Sequence, residues 1–275
     1  MITFNWLGRQ GGLGNQLFQI AATIGVARRN GVDYAFSPWS YAPYFEHPLP
    51  QRNLSELVSP MLRVHTMRYF PIDVRMTVNL MGFFQSEKFF AHCADEIRHV
   101  FAPRQNFAAA LQAQFSEDLR SRYGDLNERR TCAVHVRRGD YVGNANFFDL
   151  GASSYYENAF RLFDARTVFV VFSDDIPWCK TRFGEKNPSV SYVEGSDIAS
   201  LFLMALCDDI VIANSTFSWW GAWLGERAGK RIVAPASWFA GPVADREIPF
   251  DANSWAGFYD TQDLIPDRWQ ICPTG

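Results

Sequence analysis

Thr131-Cys132-Ala133-Val134-His135-Val136-Arg137-Arg138-Gly139-Asp140-Tyr141 sets the fold of this chain. The short apolar run from Thr131 to Val134 predicts a buried strand, and two adjacent guanidinium groups arrive where that strand stops. Open α/β sheets hold ligands outside the carboxyl ends of their strands, and arginine offers a rigid fork of donors that matches phosphate oxygens in pairs. Asp140 lies three residues past the first arginine, within reach of the same site. A surface turn with its charges in water has the same spacing, so the reading depends on the rest of the chain.

Downstream the pattern is regular. A helix is expected near 153–163, then the β run Thr167-Val168-Phe169-Val170-Val171-Phe172, a short helix near 176–183 and a strand over Val190-Ser191-Tyr192-Val193. A helix at 197–207, the strand Asp209-Ile210-Val211-Ile212-Ala213, a helix at 216–228 closed by Gly229 and a strand at 231–234 follow. Strands alternating with helices mean parallel βαβ units in a doubly wound sheet. Parallel strands share one carboxyl edge, so Arg137-Arg138-Gly139-Asp140, Ser173-Asp174-Asp175, Glu194-Gly195-Ser196-Asp197 and Asn214-Ser215-Thr216-Phe217-Ser218 should converge on one crevice. Each cluster also has an ordinary reading. Asp174 or Asp175 can cap the helix that begins near Ile176, and Asp197 reads first as the N-cap of the next one. Ser215, Thr216 and Ser218 can satisfy the orphan N–H groups of a helix start or leave them to face a phosphate. Trp219, Trp220 and Trp223 read as core. Four clusters on one edge, with paired arginines, make a nucleotide-diphosphate site the economical hypothesis.

Upstream, a strand-like Ile2 to Leu7 leads into Gly8-Arg9-Gln10-Gly11-Gly12-Leu13-Gly14-Asn15-Gln16 and then a helix. Leu17, Ile20, Ala21 and Ile24 recur at helical spacing, and Asn30-Gly31 supplies the stop. This order leaves backbone N–H groups of the helix start pointing at whatever sits above the loop, although a tight turn into a packed helix needs the same glycines. It is neither the dinucleotide fingerprint nor a Walker A loop. Val32 to Phe36 and Val78 to Phe84 read as strands, Ser37 to Pro50 as a loop and Phe107 to Tyr123 as a helix. The polar stretch Gly124 to Arg130 has linker composition, giving an N-terminal domain of 1–128 and a C-terminal domain of 129–275. Roughly the last 15 residues are free to pack back on the first domain.

Composition excludes several classes. The 275 residues are 48% hydrophobic and 20% charged with a net charge of -3, and the basic residues are scattered, so no nucleic-acid footprint exists. Aromatic residues reach 16% with nine Trp, compatible with sugar-stacking surfaces and equally with a large core. Cys93, Cys132, Cys179, Cys207 and Cys272 are widely spaced without a CxxC pair and read as thiols in a reducing compartment. The histidines show no ligand spacing and no Asp-x-Asp pair occurs, so no metal is expected. The N-terminus does not read as a signal peptide and no apolar run approaches a membrane span, which points to the cytoplasm with at most peripheral contact at the inner face of the membrane.

Gly11 to Gln19, the His135 to Tyr141 run, Phe172-Ser173-Asp174-Asp175 with Trp178, and Ala213 to Trp220 resemble the motifs of the alpha-1,2-fucosyltransferase family, in that order and at suitable intervals. The resemblance implies an α/β chain of GT-B type, two Rossmann-like domains facing each other across a cleft. It implies GDP-fucose as donor, a galactose-terminated oligosaccharide or lipid-linked glycan as acceptor, transfer to the 2-hydroxyl with inversion, and no cofactor or metal. Carried over from this family and its O- and alpha-1,6-fucosyltransferase relatives, Arg137 holds the β-phosphate. Asn15, with Gly12 and Gly14 beside it, approaches the diphosphate and fucose from the N-terminal domain. His135 touches the ribose or diphosphate, and Asp175, next to Asp174, accepts from the guanine edge. Ser215, Thr216 and Ser218 line the phosphates, with Asn214 and Phe217 in the same nucleotide site.

Inverting transfer is a single displacement in which GDP leaves with negative charge while the sugar becomes oxocarbenium-like. Without a metal, fixed donors must stabilise that leaving group, and Arg137, the glycine-loop amides and the hydroxyl-rich helix start are suited to it. The glutamate that serves as base in the alpha-1,6 relatives lies ten residues past the motif histidine, where this chain has Ala145. Asp140 is therefore the candidate base, with Arg137 and Asn15 as the other catalytic candidates; its alternative role is an orienting carboxylate paired to Arg137 or Arg138. Two other readings stay open: a GT-B transferase using another GDP-sugar or linkage, and a non-catalytic glycan- or nucleotide-binding protein of the same fold.

Overall fold

The computed structural model describes residues 1–54, 59–64, 67–124, 129–240 and 261–275. They fall into two compact units, one of Met1–Arg104 with Val243–Pro266, of which 261–266 are described, and one of Gln105–Pro242 with Asp267–Gly275.

In the first unit, β1 (Ile2–Phe4), α1 (Leu13–Asn30), β2 (Tyr34–Phe36), β3 (Met61–Arg63), β4 (Val78–Met81) and α2 (Ala94–Val100) build a parallel sheet of order β2-β1-β4-β3 and the helices that cover it. Helix α1 is buried from Leu13 to Ala27 apart from Asn15, as a helix apolar on most of its circumference must be. Its packing is close enough to require glycine at one position: a Cβ on Gly25 would stand 2.1 Å from the carbonyl oxygen of Phe89. Gly31 ends the helix in the left-handed conformation with φ 63°, which explains the Asn30-Gly31 stop.

The second unit contains α3 (Gln105–Tyr123), β5 (Thr131–Val136), α4 (Tyr155–Phe160), β6 (Val168–Ser173), α5 (Ile176–Phe183), β7 (Val190–Val193), α6 (Asp197–Leu206), β8 (Asp209–Val211), α7 (Thr216–Leu224), β9 (Ile232–Pro235) and β10 (Gln270–Cys272). Its sheet has the order β10-β9-β8-β5-β6-β7 among the described residues, and every neighbouring pair is parallel. Helices connect the strands, so the inner strands are covered on both faces and all six residues of β5 are buried. Trp219, Trp220 and Trp223 are at most 1% exposed and belong to the core.

Three features differ from the sequence reading. Helix α3 lies in the second unit, so the division falls at Arg104–Gln105 and not after residue 128; of the linker-like stretch, 125–128 lie outside the described residues. The tail divides as well. Asp263 accepts the Tyr69 N–H at 2.8 Å and pairs with Lys88 in the first unit, while Gln270–Cys272 extends the second sheet beside β9. The short strands β3 and β10, each three residues and each at a sheet edge, have no apolar alternation long enough to be read.

Candidate functional site

Register at the carboxyl edge of the second sheet decides the site. His135 pairs with Phe172 and Val136 with Ser173, so the residues leaving β5 and β6 are direct neighbours. Arg137 Nη1 lies 2.9 Å from Asp174 Oδ2, and the Arg138 N–H donates to Asp174 Oδ1 at 2.9 Å. The other end of the Arg137 guanidinium, Nη2, donates to Asp140. Arg138 turns elsewhere: Nε donates to Asp175 Oδ2 at 3.1 Å and its guanidinium carbon stands 4.1 Å over the Trp178 ring. Asp175 Oδ1 accepts the Trp178 N–H at 3.1 Å and so caps α5, the ordinary role foreseen for an aspartate there. A Cβ on Gly139 would lie 2.6 Å from Asp174 Oδ2, so a larger residue there would have to shift the carboxylate that Arg137 and the Arg138 N–H hold.

Tyr141 forms a shelf below Arg137. Its ring centre is 5.5 Å from the guanidinium carbon, it stacks on Phe147 at 3.8 Å and 14°, and its hydroxyl donates to the Asn214 carbonyl at 3.1 Å. Burial pushes the phenol's pKa up, so it stays a donor. His135 is 4% exposed, with Nδ1 lacking a hydrogen-bond partner among the described residues and its ring 5.3 Å from that of Phe217. Burial, then the charge of Arg137, hold its pKa down at about 3, so the imidazole is neutral.

The run Asn214 to Ser218 separates into two kinds of residue. Asn214 is 1% exposed and donates to the carbonyls of Phe148 at 2.9 Å and Trp238 at 2.8 Å; the site reading made it a nucleotide contact, and the structure makes it a clamp on two loops. Those loops also meet directly, since Phe148 N–H donates to Trp238 and Ala240 N–H to Asn146. Ser218, fully buried, accepts the Ala213 N–H at 3.2 Å and donates to the Ser215 carbonyl at 3.3 Å, which closes the turn from inside. Ser215 caps α7 by accepting from Phe217 N–H at 3.4 Å. Thr216 and Phe217 remain half-exposed at the helix start. At the end of β7, Ser196 is the N-cap of α6 and Asp197 is the helix's first residue, so the cap sits one position earlier than the sequence suggested.

Gly12, Gly14 and Asn15 belong to the first unit. Gly12 is the N-cap of α1 and offers no capping side chain, Gly14 is buried in the first turn, and Gly11 has φ 75°. The loop is braced by its own neighbours. Gln16 donates to the Gly11 carbonyl at 3.0 Å and accepts from Trp39 Nε1 at 2.8 Å, while Asn15 Oδ1 accepts from Gln85 Nε2 at 2.8 Å. Phe84, just before Gln85, is a non-glycine residue at φ 53°, a conformation that side chains adopt reluctantly and that no sequence signal announced.

Residues 10–257 match the profile of glycosyl transferase family 11, a span that includes both the glycine loop and the whole arginine-rich edge. The chain belongs to glycosyl transferase family 11. Its relatives include an alpha-1,2-colitosyltransferase of Escherichia coli, 28% identical over 94% of this chain and 95% of that one. The galactoside alpha-(1,2)-fucosyltransferase 2 of Rattus norvegicus is 30% identical over 82% of this chain and 67% of that one. The alpha-1,6-fucosyltransferase NodZ, known from Bradyrhizobium and solved after soaking with GDP-fucose, shares the fold at TM-score 0.52 and 13% identity, over 81% of this chain and 91% of that one. The chain is thus an α/β glycosyltransferase of GT-B type with parallel sheets, related to fucosyltransferases. No described helix is long and apolar enough to cross a membrane.

Proposed function

We propose that this family-11 enzyme transfers L-fucose from GDP-fucose to the 2-hydroxyl of a terminal galactose on a glycan, with inversion. The observation that carries the reading is the placement of Arg137 and Arg138 at the carboxyl edge of a parallel sheet, one braced by Asp174 and the other by Asp175 and Trp178. Guanidinium groups whose orientation is fixed in advance stabilise a departing diphosphate without reorganising as the bond breaks. In this reading Arg137 neutralises the β-phosphate, the half-exposed Thr216 and the N–H groups of the α7 start face the diphosphate, and neutral His135 and the ring of Phe217 line the ribose side. Asn214 and Ser218 position that turn. Asp174 and Asp175 orient the arginines, and Asp175 keeps acceptor capacity for a guanine edge, since a carboxylate takes more than two hydrogen bonds. Asp140 takes the proton of the acceptor hydroxyl.

The colitosyltransferase relative, similar over almost the whole of both chains, favours a second reading in which the transferred sugar is colitose, the 3-deoxy counterpart of fucose, on the same nucleotide. The two differ at one hydroxyl of the donor. Incubation with GDP-fucose, GDP-colitose and GDP-mannose and a lactose-type acceptor, followed by mass and linkage analysis, separates them. A fucosyl product linked to the galactose 2-hydroxyl is expected. A colitosyl product alone moves the assignment to the second reading, and absence of any glycosyl product overturns both.

A further inference from the structure

Arg137 holds two carboxylates, and they are not equivalent. Asp174 on Nη1 also accepts the Arg138 N–H, faces the close contact at Gly139, and keeps 28% of its side-chain exposure. Asp140 on Nη2 sits in a short 3-10 turn, Gly139–Tyr141, is 67% exposed, and among the described residues makes this one side-chain hydrogen bond. A guanidinium offers two bidentate forks, Nη1 with Nη2 and Nε with Nη2, and both include the nitrogen that Asp140 holds. A phosphate seated in either fork brings a second anion to that nitrogen, and the two repel. Of the two carboxylates the exposed one, in an i,i+3 pair already screened by water, yields at least cost.

We propose that Asp140 is an internal occupant of the phosphate site on Arg137, which the donor displaces. The proposal rests on the GDP-sugar reading above and adds an order of events to it. While Asp140 is paired to Arg137 its carboxylate is engaged by the guanidinium. Arrival of the diphosphate turns the carboxylate out of the pair and leaves it beside the loaded donor, where it accepts the proton of the incoming hydroxyl. The base is therefore released from Arg137 only once the donor is seated, and the donor binds before the acceptor.

Calorimetric titration with GDP tests the exchange in the wild type, Asp140→Asn, Asp140→Ala and Glu117→Gln; the last removes a carboxylate of α3, away from the sheet edge, 64% exposed and paired i,i+3 to Arg120. Both Asp140 variants lose the competitor and should bind GDP roughly fivefold more tightly, the scale of an exposed ion pair. Glu117→Gln should match the wild type, and guanosine, which carries no phosphate, should show no gain with any variant. Unchanged or weakened GDP affinity in the Asp140 variants overturns the exchange, as does an equal gain in Glu117→Gln or a gain shared by guanosine. A wild type that binds neither GDP nor pyrophosphate overturns the GDP-sugar reading itself, and the exchange with it.

Discussion

Arg138 lies with its guanidinium carbon 4.1 Å above the ring of Trp178. The stack, the bond to Asp175 and a wall at Gly151, where a Cβ would be 3.0 Å from Arg138 Nη1, leave this arginine 17% exposed. Two adjacent arginines in one motif therefore do different work, and their variants should differ in kind. Arg138→Lys keeps the charge and loses the planar fork and the stack, which should cost about 1–2 kcal/mol of stability, as should Trp178→Leu. Thermal unfolding of the two single variants and the double variant checks this. Additive losses would mean that the pair is not coupled.

On the proposed function Arg137, at 34% side-chain exposure, contributes through the reaction. Arg137→Ala should lose on the order of 3–5 kcal/mol of transition-state stabilisation, read as kcat/KM, with little change in melting temperature. Arg137→Lys should also be poor because it cannot make paired bonds to one phosphate. On the proposal that fixed guanidinium donors carry the leaving-group charge, turnover should persist in EDTA, and loss that Mn²⁺ restores would contradict it.

Asn214 predicts a structural loss. Asn214→Ala leaves the half-buried Phe148 carbonyl without its amide donor and the Trp238 carbonyl with the Phe148 N–H alone, and should cost about 1–3 kcal/mol. Because the clamp joins two loops, amide exchange at Phe148 and Ala240 should quicken more than at Val170 in the middle of β6. Uniform quickening would assign the loss to global unfolding alone.

His135 gives the fold an acid limb. Its pKa, held down at about 3 in the folded chain, lies below the ordinary value near 6.5, so between the two the unfolded state binds more protons. Stability contributed by the neutral ring is therefore complete above about pH 6.5 and is lost as pH falls toward 3, by up to about 1.4 kcal/mol per pH unit. Denaturant unfolding across this range should show a shallower acid dependence in His135→Phe. Identical slopes would place the acid sensitivity elsewhere.

Much of the architecture was legible because it is local. Apolar runs at 131–136, 167–172 and 190–193 alternate with helical periodicity, and parallel connection then forces their polar ends onto one edge. That argument brought Arg137, Asp140, Asp174, Asp175 and Ser215 to one place from segments up to 78 residues apart in sequence. The buried tryptophans of α7 followed from spacing in the same way.

What the sequence could not determine is which partner each polar side chain chooses, because that depends on distances between segments that have no order in one dimension. Asn214 read as part of the nucleotide site beside Ser215, yet its amide goes to carbonyls 66 and 24 residues away. Asp175 caps a helix and holds Arg138 at once, and Asp140 is on Arg137 because a single 3-10 turn brings it back by three residues. The strand Gln270–Cys272 is three residues long, too short for any periodicity, and only the open edge of β9 makes it a strand. Hydrophobic pattern is written residue by residue and fixes the elements; hydrogen-bond partners are assigned by packing, where most buried donors find an acceptor within about 3 Å.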